Sequence, residues 1–216
     1  LIEVCAKLIK ERGLKLNKFV YISSSMVYGN FQKKIADEEH PLNPKEIYGT
    51  MKLSGEIVTR GLCNFYSIPF SIIRPSAVYG PTDMNKRVSQ IFIDKAIMKK
   101  KIIVNGRDES LDFTYVDDLA QGIVLATINT GSINETFNIT FGRSRKLLDF
   151  IKILNELVGS LDYEVKERDS FRPKRGTLGI KKAKRLLNYA PKFPLEKGIK
   201  KYLELFKIKK HWQKNF

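Results

Sequence analysis

Tyr48 and Lys52, in the run Tyr48-Gly49-Thr50-Met51-Lys52, follow the serine cluster Ser23-Ser24-Ser25 by about two dozen residues. On a helix their spacing puts a phenol and an ammonium on one face, and a hydroxyl brought alongside completes a proton-transfer site. A free phenol ionises near pH ~10, so a base working near neutrality needs a shift of about three units, roughly 4 kcal/mol. An ammonium ~4 Å away contributes about that much at an effective dielectric of ~20. Tyr and Lys at this spacing are common on solvated helices, so the weight falls on the elements that position the pair.

Phe19-Val20-Tyr21-Ile22 reads as a β-strand that delivers the serines at its carboxyl end, where ligands bind in open α/β sheets. Asn43-Pro44-Lys45-Glu46 reads as a helix start, with Asn43 as N-cap, Pro44 at the first position and an acid at the third. That helix is expected to run to about Tyr66 and to carry Tyr48 and Lys52 in its first turns. Pro69 to Arg74 is the next strand and Pro75 to Pro81 a turn-rich loop, so strand, helix and strand form a βαβ unit with a parallel sheet. Gly49, Gly55 and Gly61 each cost up to ~1 kcal/mol relative to Ala in this helix. A partner helix, a cofactor or close packing inside one subunit would compensate.

Upstream, Leu1 to Arg12 has helical periodicity and Gly13 is a stop. Downstream, helices are expected over Val88 to Lys99, from a cap at Asp117 or Asp118 through Ile128, over Lys146 to Val158, Lys181 to Leu187 and Leu195 to Phe206. Strands are expected at Ile102 to Val104, Asp112 to Val116, Glu135 to Thr140 and Tyr163 to Lys166.

The 216 residues are 43% hydrophobic, ample for a core, and no apolar run approaches the roughly 20 residues that span a bilayer. The first residues lack the layout of a signal peptide, so a cytoplasmic location is the expectation. Cys5 and Cys63 are too few for a disulfide framework, and neither they nor His40 and His211 have metal-ligand spacing, so no metal is expected. The net charge of +16 is concentrated at the end: residues 1–165 carry 22 Lys/Arg against 19 Asp/Glu, residues 166–216 carry 17 against 4. Lys181-Lys182-Ala183-Lys184-Arg185 and Lys207-Ile208-Lys209-Lys210 are the densest runs. They read as a solvated helix face or as a site for an anion such as a diphosphate; RNA is the minor reading, because no aromatics of the stacking kind are interleaved.

Four ordered motifs carry a resemblance: Ser23-Ser24-Ser25-Met26-Val27-Tyr28-Gly29, Tyr48 to Lys52, Arg74-Pro75-Ser76-Ala77-Val78-Tyr79-Gly80-Pro81, and Asp112-Phe113-Thr114-Tyr115-Val116-Asp117-Asp118-Leu119-Ala120. Together they resemble the extended short-chain dehydrogenase/reductases, and within these the NAD-dependent nucleotide-sugar epimerase/dehydratase group. The likeness continues through Lys181 to Pro191 and Leu195 to Gly198. It implies an α/β fold: a partial Rossmann-like doubly wound parallel sheet with an interleaved small α/β C-terminal substrate subdomain. Residues 1–82 would be the C-terminal half of the NAD-binding domain and 83–216 mainly the substrate subdomain, with about 112–140 returning to the Rossmann-like part.

The resemblance also implies NAD as cofactor, a nucleotide sugar as substrate, and a homodimer built on the helices at about 1–12 and 44–66. Tyr48 would take a proton from a sugar hydroxyl, Lys52 would lower the Tyr48 pKa and bind the nicotinamide ribose, and Ser24, three residues before Val27, would be the catalytic hydroxyl. Ser23 and Pro75 would line the cofactor. Members that dehydrate or decarboxylate usually carry an acid immediately before that Val, and here Met26 cannot transfer a proton. This favours 4-epimerisation of a sugar, UDP-linked by expectation, through a transient ketone. A ketoreductase or dehydrogenase acting on a related sugar or sterol-like substrate, and an RNA-binding module on the same fold, are the alternatives.

Substrate contacts depart from the family pattern at Ala77, where Asn is usual, and at Leu111, where Arg is usual. Arg87, Arg172 and Arg175 are candidate replacements, since a guanidinium pairs bidentately with phosphate. No G-x-G-x-x-G turn follows a strand; Gly176 and Gly179 form the one G-x-x-G pair. The sequence therefore reads as a fragment lacking roughly the first third of the fold, expected to expose a sheet edge, hold NAD poorly and be inactive alone.

Overall fold

Two runs that are apolar on both faces, Phe19 to Ile22 and Phe70 to Ile73, must be covered on both sides, and this requirement sets the architecture. The computed structural model describes residues 1–213 apart from Thr82 and Met84, with side chains through Leu205. Its first part comprises α1 (Ile2–Arg12), β1 (Phe19–Ile22), a 3-10 turn (Ser25–Tyr28), β2 (Ile35–Ala36), α2 (Ile47–Phe65), β3 (Phe70–Pro75) and β4 (Val78–Tyr79). There follow α3 (Val88–Ile97), β5 (Ile102–Asn105), β6 (Ser110–Leu111), β7 (Thr114–Tyr115), α4 (Val116–Ile128) and β8 (Glu135–Ile139). The last part holds β9 (Arg145–Lys146), α5 (Leu147–Val158), β10 (Tyr163–Lys166), β11 (Thr177–Leu178), α6 (Lys181–Leu187) and α7 (Leu195–Gln213).

The main sheet has the order β1-β3-β8, all parallel, with Tyr21 opposite Ile72 and Ile73 opposite Phe137. Strand residues alternate between faces. Phe19, Tyr21, Phe70 and Ile72 therefore meet α1 and α2 through Ile2, Cys63 and Leu62. Val20, Ile22, Ile73 and Phe137 meet α4 and α6 through Ala126, Ala183 and Leu187. Helices thus cover both faces, as the doubly wound α/β expectation requires.

A second core gathers α3, α5, α7 and the parallel pair β5 and β10. Phe150 lies at its centre, with ring centroids 5.2 Å from Phe113, 5.9 Å from Phe92 and 6.2 Å from Tyr79. Short ladders link it to the sheet side: β4 with β7, β2 with β11, both parallel, and β6 with β9, antiparallel.

Several boundaries differ from those read in the sequence. Helix α2 begins at Ile47 with Glu46 as N-cap, not at Pro44. The Asn43 carbonyl packs so tightly on Gly29 that no side chain would fit there, which holds Asn43 and Pro44 against the end of the 3-10 turn instead of letting them wind. Asp117 and Asp118 do not cap α4 but sit in its first turn, because pairing of Tyr115 with Tyr79 brings the strand directly up to Val116. Their carboxylates act elsewhere: Asp118 accepts the N–H groups of Lys192 and Phe193 at 2.7 and 3.0 Å, and Asp117 pairs with Lys201 at 2.7 Å. Helix α7 continues past Phe206, while the side chains of Lys207 to Lys210 and His211 lie outside the described residues.

The strand expected over Asp112 to Val116 shrinks to Thr114 and Tyr115 because Asp112 is a buried hub. Its carboxylate accepts Leu178 N–H at 3.0 Å, Gly142 N–H at 3.1 Å and the Thr140 hydroxyl at 3.2 Å. Burial outweighs these bonds and raises the Asp112 pKa to about 6. A raised folded-state value gives stability that is complete below the unfolded value near 4 and is lost as pH rises through about 6. Two units correspond to roughly 3 kcal/mol. Thermal melts of wild type and Asp112→Asn at pH 4 and pH 7 are expected to show the wild type losing up to about that much relative to the variant.

Candidate functional site

The first turns of α2 lie across the carboxyl end of β1. Lys52 Nζ donates to the Ile22 carbonyl at 2.9 Å and stands 5.5 Å from the Tyr21 ring centroid and 5.8 Å from that of Tyr48. Two aromatic faces and a carbonyl therefore fix the ammonium, each attractive to a cation. The Tyr21 ring fits beneath α2 because position 55 is glycine; a Cβ there would overlap the Tyr21 hydroxyl. Tyr48, one turn before Lys52, is 50% exposed, so its phenol is open to a ligand.

Ser24 is the N-cap of the 3-10 turn, and its Oγ accepts the Met26 N–H at 3.2 Å. This fixes the side chain and leaves the hydroxyl hydrogen available to a substrate oxygen. The turn and the helix touch through Gly49: a Cβ there would stand 2.6 Å from the Met26 carbonyl oxygen. Gly49 and Gly55 are thus explained by packing inside the subunit. Gly61 has nothing within 4 Å of a would-be Cβ.

Sequence reasoning missed the group behind these residues. Glu56, one turn after Lys52, is buried and forms a two-pronged ion pair with Arg74 of β3, at 2.9 and 2.7 Å. The Ser23 hydroxyl donates to Glu56 Oε1 at 2.5 Å, so the residue expected at the cofactor turns its side chain into the core. Two signals could have found this group: Tyr48, Lys52 and Glu56 continue one stripe at i, i+4 and i+8, and Arg74 interrupts an apolar strand. Glu38, also half-buried here, is held above the usual carboxylate range by burial, and its Oε1 accepts the Asn138 N–H at 2.7 Å.

Pro75 closes β3 opposite Ile139, and Ala77 follows with φ +39°, its side chain against the second core. The three candidate arginines differ. Arg87 is exposed and reaches the Val78 carbonyl at 3.4 Å; Arg172 is exposed and paired with Asp169 at 3.3 Å. Arg175 is half-buried, and its guanidinium has no ion pair among the described residues. Burial first, then Arg172, pull its pKa down to about 10, opposed by Glu46 at the start of α2 and by Glu109. A half-buried guanidinium without a direct ion pair is suited to an anionic ligand.

Two cavities lie nearby in the fold. One of about 230 Å³ is lined by Val78 to Pro81, Asp83, Asn85, Arg87 and Val116, at the end of β3. The other, about 410 Å³, lies between Phe113, Phe141, Arg143, Asp149 and the start of α7, and none of Ser24, Tyr48 and Lys52 lines it. Geometry and chemistry favour the open ledge at the carboxyl end of β1 over this larger hollow. Among the described residues no cluster of metal-ligating side chains occurs.

The sequence pattern of the NAD dependent epimerase/dehydratase family matches residues 1–140. A putative UDP-glucose 4-epimerase of Methanocaldococcus jannaschii is 31% identical over 214 residues, covering 94% of this chain and 65% of that protein. The dTDP-D-glucose 4,6-dehydratase of Bos taurus is 28% identical over 210 residues, covering 93% and 59%. Among solved structures, the UDP-glucuronic acid 4-epimerase of Bacillus cereus in complex with UDP-glucuronic acid and NAD superposes with a TM-score of 0.86 at 30% identity, covering 95% of this chain and 66% of that one. The chain spans about three fifths of the length of the curated relatives it matches.

Gly49→Ala tests the contact between helix and turn. A Cβ pressed on a backbone carbonyl must displace α2 or the turn, so the variant is expected to lose about 1–3 kcal/mol in denaturant unfolding, despite the better helix propensity of Ala.

Proposed function

The chain belongs to the NAD dependent epimerase/dehydratase family, and from that premise we propose that it works as an NAD-dependent 4-epimerase of a nucleotide sugar, UDP-linked. The observation that carries this reading is the make-up of the turn that packs on α2 through Gly49: it opens with Ser24 and contains no acid. Dehydration needs a further proton donor; epimerisation needs only that one hydroxyl lose and regain its proton.

The donor set suits the cofactor. Lys52 uses one of its three N–H groups on Ile22, which leaves two for ribose hydroxyls, and the Tyr48 phenol stands open beside it. The chemistry that bound NAD would supply is reversible hydride transfer, with hydride accepted from the sugar carbon and returned to the opposite face of the ketone. Tyr48 removes the proton from the sugar hydroxyl and later gives it back. Ser24 donates to the same oxygen and holds it toward Tyr48, and Lys52 supplies the positive charge beside the phenol. Pro75, which has no N–H, shapes the wall on the cofactor side. Arg175 pairs with the substrate diphosphate, with Arg172 and Arg87 nearer to solvent and Ala77 leaving room for the sugar.

A homodimer fits the outer face of α2. Ile47, Met51, Val58 and Phe65 are exposed along one stripe, and Gly61 lies on it with open space above. A second copy of the helix would cover this stripe. No described helix is long and apolar enough to cross a membrane, and a cytoplasmic location fits a nucleotide-sugar enzyme with unpaired Cys5 and Cys63.

For a protein that carries this chain together with a glycine-rich NAD-binding turn, interconversion of UDP-sugar C4 epimers without net NADH formation is the expected assay result; stoichiometric NADH consumption would point to a reductase instead. Tyr48→Phe is expected to lower kcat by about 10²–10⁴-fold. Arg175→Met is expected to raise KM by about tenfold or more with little effect on kcat, since it removes ground-state and transition-state binding alike. Val58→Glu is expected to shift the sedimenting species from dimer to monomer; a monomeric wild type would remove the dimer from the proposal.

A further inference from the structure

Lys52 and Glu56 occupy consecutive turns of α2, and they hold consecutive residues at the exit of β1. Lys52 takes the Ile22 carbonyl, and Glu56 takes the Ser23 hydroxyl. Glu56 is 1% exposed and Arg74 2%, so neither charge is relieved by water. Arg74 meets the carboxylate with two donors, Nε on Oε1 and Nη2 on Oε2. Its remaining arm, Nη1, donates to the Tyr28 hydroxyl at 3.0 Å, at the far end of the turn that Ser24 opens, and the guanidinium lies 4.9 Å from the Tyr28 ring centroid. Tyr28 passes the chain on to Asn138 Oδ1 of β8 at 2.7 Å. One bonded path therefore joins α2, the end of β1, β3, the 3-10 turn and β8.

A fork-to-fork pair has direction as well as charge. The guanidinium, fixed in β3, sets the plane of the Glu56 carboxylate and with it the height and rotation of α2. A slide of α2 by one residue, about 1.5 Å along its axis, would break both prongs together. Burying two charges is costly, and a well-packed apolar pair can serve stability as well. What an apolar pair cannot supply is a single allowed geometry.

We propose that Glu56, held by Arg74, is a positioning residue of the reaction centre: it seats α2 so that Lys52 stays on Ile22 and the turn of α2 that carries Tyr48 stays on the turn that Ser24 opens. The functional half of this inference rests on the reading of Ser24, Tyr48 and Lys52 as the reacting groups.

The test is the double variant Glu56→Met with Arg74→Met, which removes both charges at once and leaves the local net charge unchanged. Acylation of each lysine, followed by mass spectrometry, needs neither substrate nor turnover. Lys52 is expected to react about tenfold faster in the variant while the other lysines keep their rates, as a side chain released from a fixed contact does. In the epimerisation assay kcat is expected to fall by about 100-fold with KM nearly unchanged, the signature of misplacement by a fraction of an ångström. If the double variant does not fold, Glu56→Asp, which shortens the reach by one methylene, is expected to speed Lys52 labelling by about threefold. Unchanged Lys52 reactivity in the folded variant overturns the proposal, and so does released Lys52 with unchanged kcat. Should Tyr48→Phe leave epimerisation intact, the reaction reading falls, and the labelling result still decides whether Glu56 seats the helix.

Discussion

The seating of α2 against the carboxyl end of β1 is the constraint on which the rest of the site depends. Apolar burial on both faces of the sheet brings the helix there, through Cys63, Leu62 and Tyr21 on one side. That force is large but non-directional, and it would tolerate a helix slightly higher or slightly rotated. The polar contacts at Ile22 and Ser23, and the ion pair behind them, do not tolerate it. The helix is drawn in by its apolar face and indexed by its charged one.

A similar division of labour joins the sheet to the second core. The short strands β2, β7, β9 and β11 have too few ladder bonds of their own, so buried side chains satisfy the adjoining backbone. Asn138 Nδ2 donates to the carbonyls of Ala36 and Gly179, and Asp112 accepts Leu178 and Gly142. Arg175 stands three residues before Leu178, on the segment whose backbone the Asp112 hub anchors. The segment that carries Arg175 and the turn that carries Ser24 are thus tied to the same sheet by different polar anchors.

Much of this was legible in the sequence. The order of the longer helices and strands, the parallel pairing of β1 with β3 and the placing of Tyr48 and Lys52 on one helix face follow from periodicity, turn residues and motif order. The start of α2 was misplaced because Asn43-Pro44 carries the local signature of a helix start, while the deciding contact, with Gly29, lies fourteen residues upstream in the chain. Asp117 and Asp118 looked like caps for the same reason: local chemistry suited a cap, and the pairing of Tyr115 with Tyr79 decided otherwise. Glu56 and Arg74 were passed over because charged residues are read as solvated unless their partner across the fold is known. Residues that act through neighbours in sequence were visible; those that act through neighbours in space were not.

The adjacent serines illustrate how extended backbone sorts identical side chains. Ser23 points into the core at Glu56 and Ser24 turns to cap the 3-10 turn, a difference that follows the alternation of the chain leaving β1. Because the run is three serines long, a slip of β1 that moved Ser24 to the anchor would still bring Ser25 to the place of Ser24. The repeated serine therefore acts as a margin of error: it makes the hydroxyl at the site less dependent on strand register than the phenol and the ammonium are on the register of their helix.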